Sequence, residues 1–268
     1  MKNSRLLLTI ALCCGLLPSA WVSAHTPFLA PVSFEPAHDQ WVSLDAGFAE
    51  VFFQSDVAFD NGNFQVLTPA GQWQAPARLE QFKTRSLVEH QLAEKGTYRF
   101  TTGSRFGAVF RFYELNGQRK ATRDAKEVLP EGAKLVDHYQ SVTLAETYIT
   151  NDKPTTVALK PYGKGLEIVP VTHPSDIYGG DTFKLKVLFD GKPVADKEVS
   201  VFSAYDGNEH EKAIAKSTTN SRGETEFSFT GRGVYLLYVR HTAAAPKAAE
   251  APNYGYIYTL SFAVNPKI

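Results

Sequence analysis

A histidine at position 25 is the residue of this sequence whose placement says most about chemistry. Ahead of it, Lys2 and Arg5 open the chain with positive charge, Leu6 to Leu17 form an apolar run, and Val22-Ser23-Ala24 puts small residues where a signal peptidase cuts. The run is shorter than the roughly 20 apolar residues that span a bilayer. Residues 1–24 are therefore expected to be a cleaved secretory signal, which makes His25 the first residue of the mature chain. A terminal histidine offers its imidazole and a free α-amine to one ion. The amine titrates at about 7.7–8.0, so a metal can displace its proton at neutral pH. A chelate of that kind suits copper(II), nickel, cobalt or zinc. The plain alternative is that the cut simply falls before a histidine. Cys13 and Cys14 would fit a lipoprotein, but neither follows the small-residue context that lipidation requires.

The remaining histidines form no short metal motif such as H-E-x-x-H, so a multi-histidine site has to be assembled across the fold. His38-Asp39 and Asp137-His138 place a carboxylate beside an imidazole, which could orient a ligand. Neighbours on a strand point to opposite faces, however, and solvated loop pairs look the same. His173 precedes Pro174 at the end of an apolar stretch, Leu166 to Val171, where sandwich proteins collect functional loops. His210 reads as part of a solvated hairpin loop, and His90 and His241 as exposed. Hydrolytic chemistry finds little footing: there is no G-x-S-x-G elbow and no phosphate-binding glycine loop. Carboxylate pairs such as Glu50 and Asp56 are of a kind most chains this size contain. No catalytic residue is assigned, and the expectation is a binder and not an enzyme.

Composition narrows the field further. The chain has 268 residues, 28 basic and 28 acidic side chains, and 43% hydrophobic and 12% aromatic content, the profile of a folded globular protein. No basic excess points to nucleic acid. Without residues 1–24, 26 basic and 28 acidic side chains remain, and so does no sulfur, because both cysteines and Met1 lie in that segment. The mature chain can therefore form no disulfide, and any metal has to be held by nitrogen and oxygen.

The elements that must position these residues are strands. Period-2 alternation bounded by Gly, Asn, Asp and Pro recurs, most clearly at Thr182–Asp190, with the turn Asp190-Gly191 and a return strand through Val199 and Val201. Further strands are expected at Trp41–Ala46, Val51–Phe53, Phe64–Leu67, Thr97–Thr101, Ala108–Leu115, Thr143–Thr150, Thr225–Phe229, Val234–Val239 and Tyr256–Val264. Residues 118–134 read as a long solvated connection, and Thr242–Pro252 as an exposed loop. Tyr254, Tyr256 and Tyr258 alternate onto one face, as either a stacking surface or core packing. The expected class is all-β: a signal peptide at 1–24, an N-terminal β-sandwich domain at 25–164 and an immunoglobulin-like β-sandwich domain at 165–268.

The opening His25-Thr26-Pro27-Phe28-Leu29, the stretch Gly165-Leu166-Glu167-Ile168-Val169-Pro170-Val171-Thr172-His173-Pro174, the segment Gly180-Asp181-Thr182-Phe183 leading to Phe189-Asp190-Gly191-Lys192-Pro193, and the late Thr219-Asn220-Ser221-Arg222-Gly223 with Gly233-Val234-Tyr235-Leu236-Leu237 resemble the NikM-like family of exported bacterial proteins. That family is described as a nickel-uptake substrate-specific region and otherwise as a domain of unknown function. The resemblance implies a periplasmic protein linked to transition-metal uptake, of nickel or cobalt and sometimes zinc, with a metal-uptake transporter or outer-membrane receptor as partner. It carries His25 over as the natural ligand, and His173 on the T-H-P element alone; His138 and His38 complete the candidates. Transporter subunits of the family carry membrane helices, whereas no second hydrophobic span follows the signal here, so a freestanding relative is expected. Two other classes stay open: a copper-dependent oxidative enzyme using an N-terminal histidine with a second one, and a metal-free cell-envelope binding module. Expression with the native signal should yield a species beginning at His25 by intact-mass spectrometry; a different terminus would remove the α-amine chelate.

Overall fold

The computed structural model describes residues 25–124, 126–204 and 212–267. Residues 1–24 and His210 lie outside them, and with them the expected signal and the expected hairpin loop. Nineteen strands are present among the described residues: β1 (Thr26–Pro31), β2 (Trp41–Ala49), β3 (Val57–Ala58), β4 (Gln65–Leu67), β5 (Trp73–Gln74), β6 (Arg78–Gln81), β7 (Ser86–Gln91), β8 (Gly96–Thr101), β9 (Arg105–Leu115), β10 (Gln118–Thr122), β11 (Lys134–Asn151), β12 (Leu166–Pro170), β13 (Thr182–Phe189), β14 (Lys192–Pro193), β15 (Glu198–Ser203), β16 (Ala215–Thr218), β17 (Glu224–Ser228), β18 (Gly233–Ala244) and β19 (Asn253–Val264). The protein is all-β, as the alternation predicts. The turns Asn116-Gly117 and Asp190-Gly191 have positive φ at both residues (54° and 74°, 48° and 73°), the conformation of tight hairpins that favours Asn or Asp followed by Gly.

Three sheets form three layers. The middle one has ten strands in the order β16-β15-β18-β19-β11-β8-β4-β5, with β9 also on β11 and β10 on β9. A four-stranded sheet of β12, β13, β14 and β17 covers one face. The core between them includes Ile168, Phe183, Leu185 and Val187 against Val199, Leu237, Tyr258 and Leu260. These two layers form a β-sandwich in the C-terminal part. A five-stranded sheet, β1-β2-β7-β6 with β3 on β2, covers the other face around Leu29, Val42, Leu44, Val88, Tyr98, Phe100, Ala145 and Ile149. The middle sheet thus serves both sandwiches, and strands from either side of residue 164 share it: β11 runs parallel to β19 from Tyr139↔Asn253 to Thr147↔Ser261. Covered on both faces, β11 is buried without a break from Val142 to Ile149.

One buried polar cluster ties this middle layer to the four-stranded sheet. Arg99 of β8 is 1% exposed; its Nε donates to Glu146 Oε2 of β11 at 2.9 Å, and its Nη2 donates to the same oxygen. Arg99 Nη1 donates to the Lys160 carbonyl at 3.2 Å, and Nη2 lies 3.9 Å from Glu167 Oε2 of β12. Tyr258 of β19 donates its hydroxyl to Glu146, and the backbone N–H groups of Tyr162 and Gly163 donate to Glu167, each at 2.9 Å. The rings of Tyr162 and Tyr148 lie 4.4 and 5.7 Å from the guanidinium carbon. Burial alone would lower the Arg99 pKa, but Glu146 and the surrounding tyrosines hold it well above its ordinary value. Burial pushes the Glu167 carboxyl up, against the two N–H bonds and Arg99, which pull it down.

Several local expectations are corrected. Val51–Phe53 is no strand: Gln54 N–H bonds the Val51 carbonyl at 2.7 Å and closes a tight turn. Within 118–134, residues 118–122 pair antiparallel with β9 as β10, an edge strand whose polarity reflects solvent on its free side. The expected loop at 242–252 shrinks to 245–252, because the β18–β19 ladder continues to Ala244↔Asn253. His90 is 6% exposed and not a surface residue. Replacing Arg99 by Met should cost about 3–5 kcal/mol in urea unfolding, since two buried carboxylates lose their cation. The double variant Arg99→Met/Glu146→Leu should unfold at higher urea than the single one.

Candidate functional site

His25 is placed by β1. This edge strand of the five-stranded sheet buries Leu29 in the core shared with the middle layer and Phe28 and Ala30 in a separate cluster with Phe52 and Leu236, and its edge position tolerates Pro27 and Pro31. Its free edge is closed from the side: Thr259 Oγ1 donates to the Pro27 carbonyl at 2.9 Å, and Ser261 Oγ donates to the Leu29 carbonyl. Two buried acceptors that no strand reaches are thereby satisfied. The register Thr26↔Ala49 then sets His25 beside the turn that follows β2.

That turn supplies two carboxylates. Asp56 N–H bonds the Phe48 carbonyl at 2.9 Å, folding the chain back over β2, and Asp56 Oδ2 accepts the Glu50 N–H at 3.0 Å. The return is close enough to require Gly47, where a Cβ would stand 1.8 Å from Ser55 Oγ and 2.9 Å from the Val57 carbonyl. His25 Nδ1 lies 3.2 Å from Asp56 Oδ2, and His25 Nε2 lies 3.8 Å from Glu50 Oε1. All three side chains are 40–51% exposed, so the ion pairs themselves stabilise little, by roughly 0–1 kcal/mol. What the arrangement provides is an imidazole with one carboxylate at each ring nitrogen, open to solvent.

The other three candidates are not brought to His25. His38 sits in a short turn with its side chain 93% exposed and 2.9 Å from Asp39. His138 lies on β11 opposite Arg111, where its carbonyl accepts the Asn253 amide at 3.2 Å. His173 has both ring nitrogens engaged. Ser175 N–H donates to Nδ1 at 3.1 Å, so Nε2 carries the proton that faces Thr97 Oγ1 at 2.9 Å and the Thr155 carbonyl at 3.1 Å. In this arrangement His173 ties the loop after β12 to β8. His90 is similarly held, by the Ala77 N–H at 3.2 Å and the Gln74 amide at 3.1 Å. Among the described residues no group of three or more His, Cys, Asp or Glu side chains is arranged to hold a metal ion. In sequence Glu50 and Asp56 are ordinary acids, and nothing in their spacing from His25 marks them. Only the strand register does.

A family model described as a domain of unknown function, DUF4198, matches residues 22–243. The chain belongs to the DUF4198 family. The match takes in β1, the turn after β2 and most of both sandwiches, so the His25 site of this DUF4198 chain lies within the family region. No curated protein matches. Among solved structures, the D0-D1 domain of Intimin is 13% identical, with 87% of this chain and 96% of that chain covered and a TM-score of 0.22. A marsupial T cell receptor is 8% identical, with 91% and 73% covered and a TM-score of 0.21. At such scores neither defines the DUF4198 fold, which rests on the sheet pairings themselves. No helix among the described residues is long and apolar enough to cross a membrane.

Burial lowers the pKa of both His90 and His173 from 6.5. In the unfolded chain they protonate first, so the stability they contribute is full above about pH 6.5 and is lost as pH falls through the folded values. Urea midpoints should therefore drop between about pH 6.5 and 5, with a slope of up to about 1.4 kcal/mol per pH unit for each histidine. His173→Gln should flatten that slope.

Proposed function

We propose that this protein is an exported, periplasmic binder of a divalent transition metal, nickel or cobalt, or zinc in their place, which it carries toward an uptake system. The observation that supports this reading best is the 3.2 Å separation of His25 Nδ1 and Asp56 Oδ2, short enough for both atoms to serve one ion through bonds of about 2.0–2.2 Å. The donor set fits: imidazole and carboxylate are suited to these ions, and the chain past residue 24 has no thiolate or thioether to favour copper(I). Side chains alone do not complete a cage, as the absence of a convergent cluster among the described residues says. Cleavage ahead of His25 would add the α-amine as a third donor on the same residue. The resemblance of the chain to NikM-like proteins supports the same assignment.

The role of the fold in this reading is to hold still what is otherwise a terminal residue. A free N-terminal histidine loses conformational entropy when it binds; here β1 has already fixed the backbone at Thr26, and the Glu50 N–H has fixed the Asp56 carboxylate. The ion is cargo, and no bond is made or broken.

Calorimetric titration of the mature, metal-free protein with nickel, cobalt, zinc and copper(II) should show one site. His25→Ala should abolish binding, Asp56→Asn should weaken it by at least tenfold, and one extra residue ahead of His25 should weaken it comparably by consuming the free amine. Unchanged affinity for all four ions in His25→Ala would rule the site out.

A further inference from the structure

The β9–β10 hairpin and the first half of β11 carry a second, unrelated arrangement. Phe110 and Phe112 of β9 and Tyr139 of β11 touch one another, with ring centroids 5.5–6.2 Å apart and planes within 13–25°. Tyr139 is 7% exposed and packs over Gly255 of β19, where a Cβ would stand 2.5 Å from the ring. The missing side chain at 255 is what lets the tyrosine lie against the sheet.

Each ring of the trio holds an arginine from a different segment. The guanidinium carbon of Arg119, on β10, is 4.8 Å from the Phe112 centroid; that of Arg123, just past β10, is 4.9 Å from Phe110; that of Arg240, on β18, is 4.7 Å from Tyr139. Such pairs occur about once per 70–80 residues, so three on mutually contacting rings is a local concentration. All three arginines are exposed, and among the described residues none has a carboxylate within ion-pair distance. Arg78, Arg85, Arg105 and Arg222, in contrast, each have one. The acidic neighbours do not neutralise the group. Glu114 stands opposite Arg119 in the ladder and Asp137 opposite Phe112 without pairing to these guanidiniums, while Glu127 accepts the Thr122 hydroxyl with its carboxylate and the Arg111 guanidinium with its carbonyl.

We infer that Arg119, Arg123 and Arg240 form a binding site for a phosphate-type anion carrying two or more negative charges. Three cations without counter-ions call for a multivalent anion, and the guanidinium fork matches phosphate oxygens two at a time. Holding each arginine against a ring removes part of the side-chain freedom that binding would otherwise cost. The anion could be free in solution or the headgroup of a lipid, and the two sources separate by experiment.

The test uses metal-free mature protein with a chelator present, so that His25 takes no part. One arm titrates inorganic pyrophosphate by calorimetry; the other sediments the protein with vesicles of phosphatidylcholine alone or with cardiolipin, whose headgroup carries two phosphates, added. The expected result is saturable binding in one arm that falls at least tenfold in R119Q/R123Q/R240Q, falls less in the triple Lys variant, and weakens as salt rises from about 0.01 to 0.15 M. Binding of pyrophosphate identifies a soluble ligand, and binding of anionic vesicles alone identifies a lipid-borne one. No binding in either arm, or equal binding by a triple Gln variant with native circular dichroism, would overturn the inference.

Discussion

The contact on which the rest of the molecule depends is a charged one, buried where a β protein normally keeps hydrocarbon. Arg99 reaches from β8 to Glu146 on β11 and, at longer range, to Glu167 on β12, so a single guanidinium bridges the shared middle sheet and the sheet that covers one face of it. Two carboxylates around one guanidinium leave the group short of positive charge. The Tyr258 hydroxyl and two backbone N–H groups donate to the carboxylates and make up the difference, while the faces of two tyrosine rings stabilise the guanidinium itself. An apolar replacement of similar volume could be as stable. The polar version ties four strands to one another, because Arg99, Glu146, Glu167 and Tyr258 meet only when β8, β11, β12 and β19 are all in register.

The same logic of satisfying backbone groups from the side accounts for the placement of His25. An edge strand next to a buried face is left with carbonyls that no ladder reaches, and β19 answers with hydroxyls at alternate positions, Thr259 and Ser261. The two residues look unremarkable in an apolar strand sequence. Their effect is to fasten β1 to the core, and so to give the residue just before it a fixed address beside Asp56.

How much of this could be read in advance differs by level. The β class, the hairpins at Asn116-Gly117 and Asp190-Gly191 and the strand Thr182–Phe189 were legible because local chemistry dictates them: alternation against one buried face, and residues that accept positive φ. Edge strands such as β10 were not, since a strand solvated along one side loses the apolar alternation that would announce it. The shared middle sheet was not legible either, because the parallel pairing of β11 with β19 joins residues more than a hundred positions apart and leaves no local mark. For the site, position alone pointed to His25, while Glu50 and Asp56 are ordinary acids until the β1–β2 register brings them to it. His173 has a structural use that its sequence does not announce. A histidine before a proline at a strand end is equally well suited to tying down its own loop, and here Ser175, Thr97 and Thr155 occupy both of its nitrogens.

The contact between the first and last strands also governs when the molecule can fold. The bond from Thr259 to the Pro27 carbonyl closes a separation of 232 residues, and β11 cannot complete its second edge until β19 arrives. Contacts this distant in sequence are the slow ones to form, because the intervening chain must lose its freedom before they return any stability. A chain emerging N-terminus first therefore stays open along its middle sheet until its final dozen or so residues are delivered. Such lateness makes the ordering of the segment around His25 a report that the last strand has arrived.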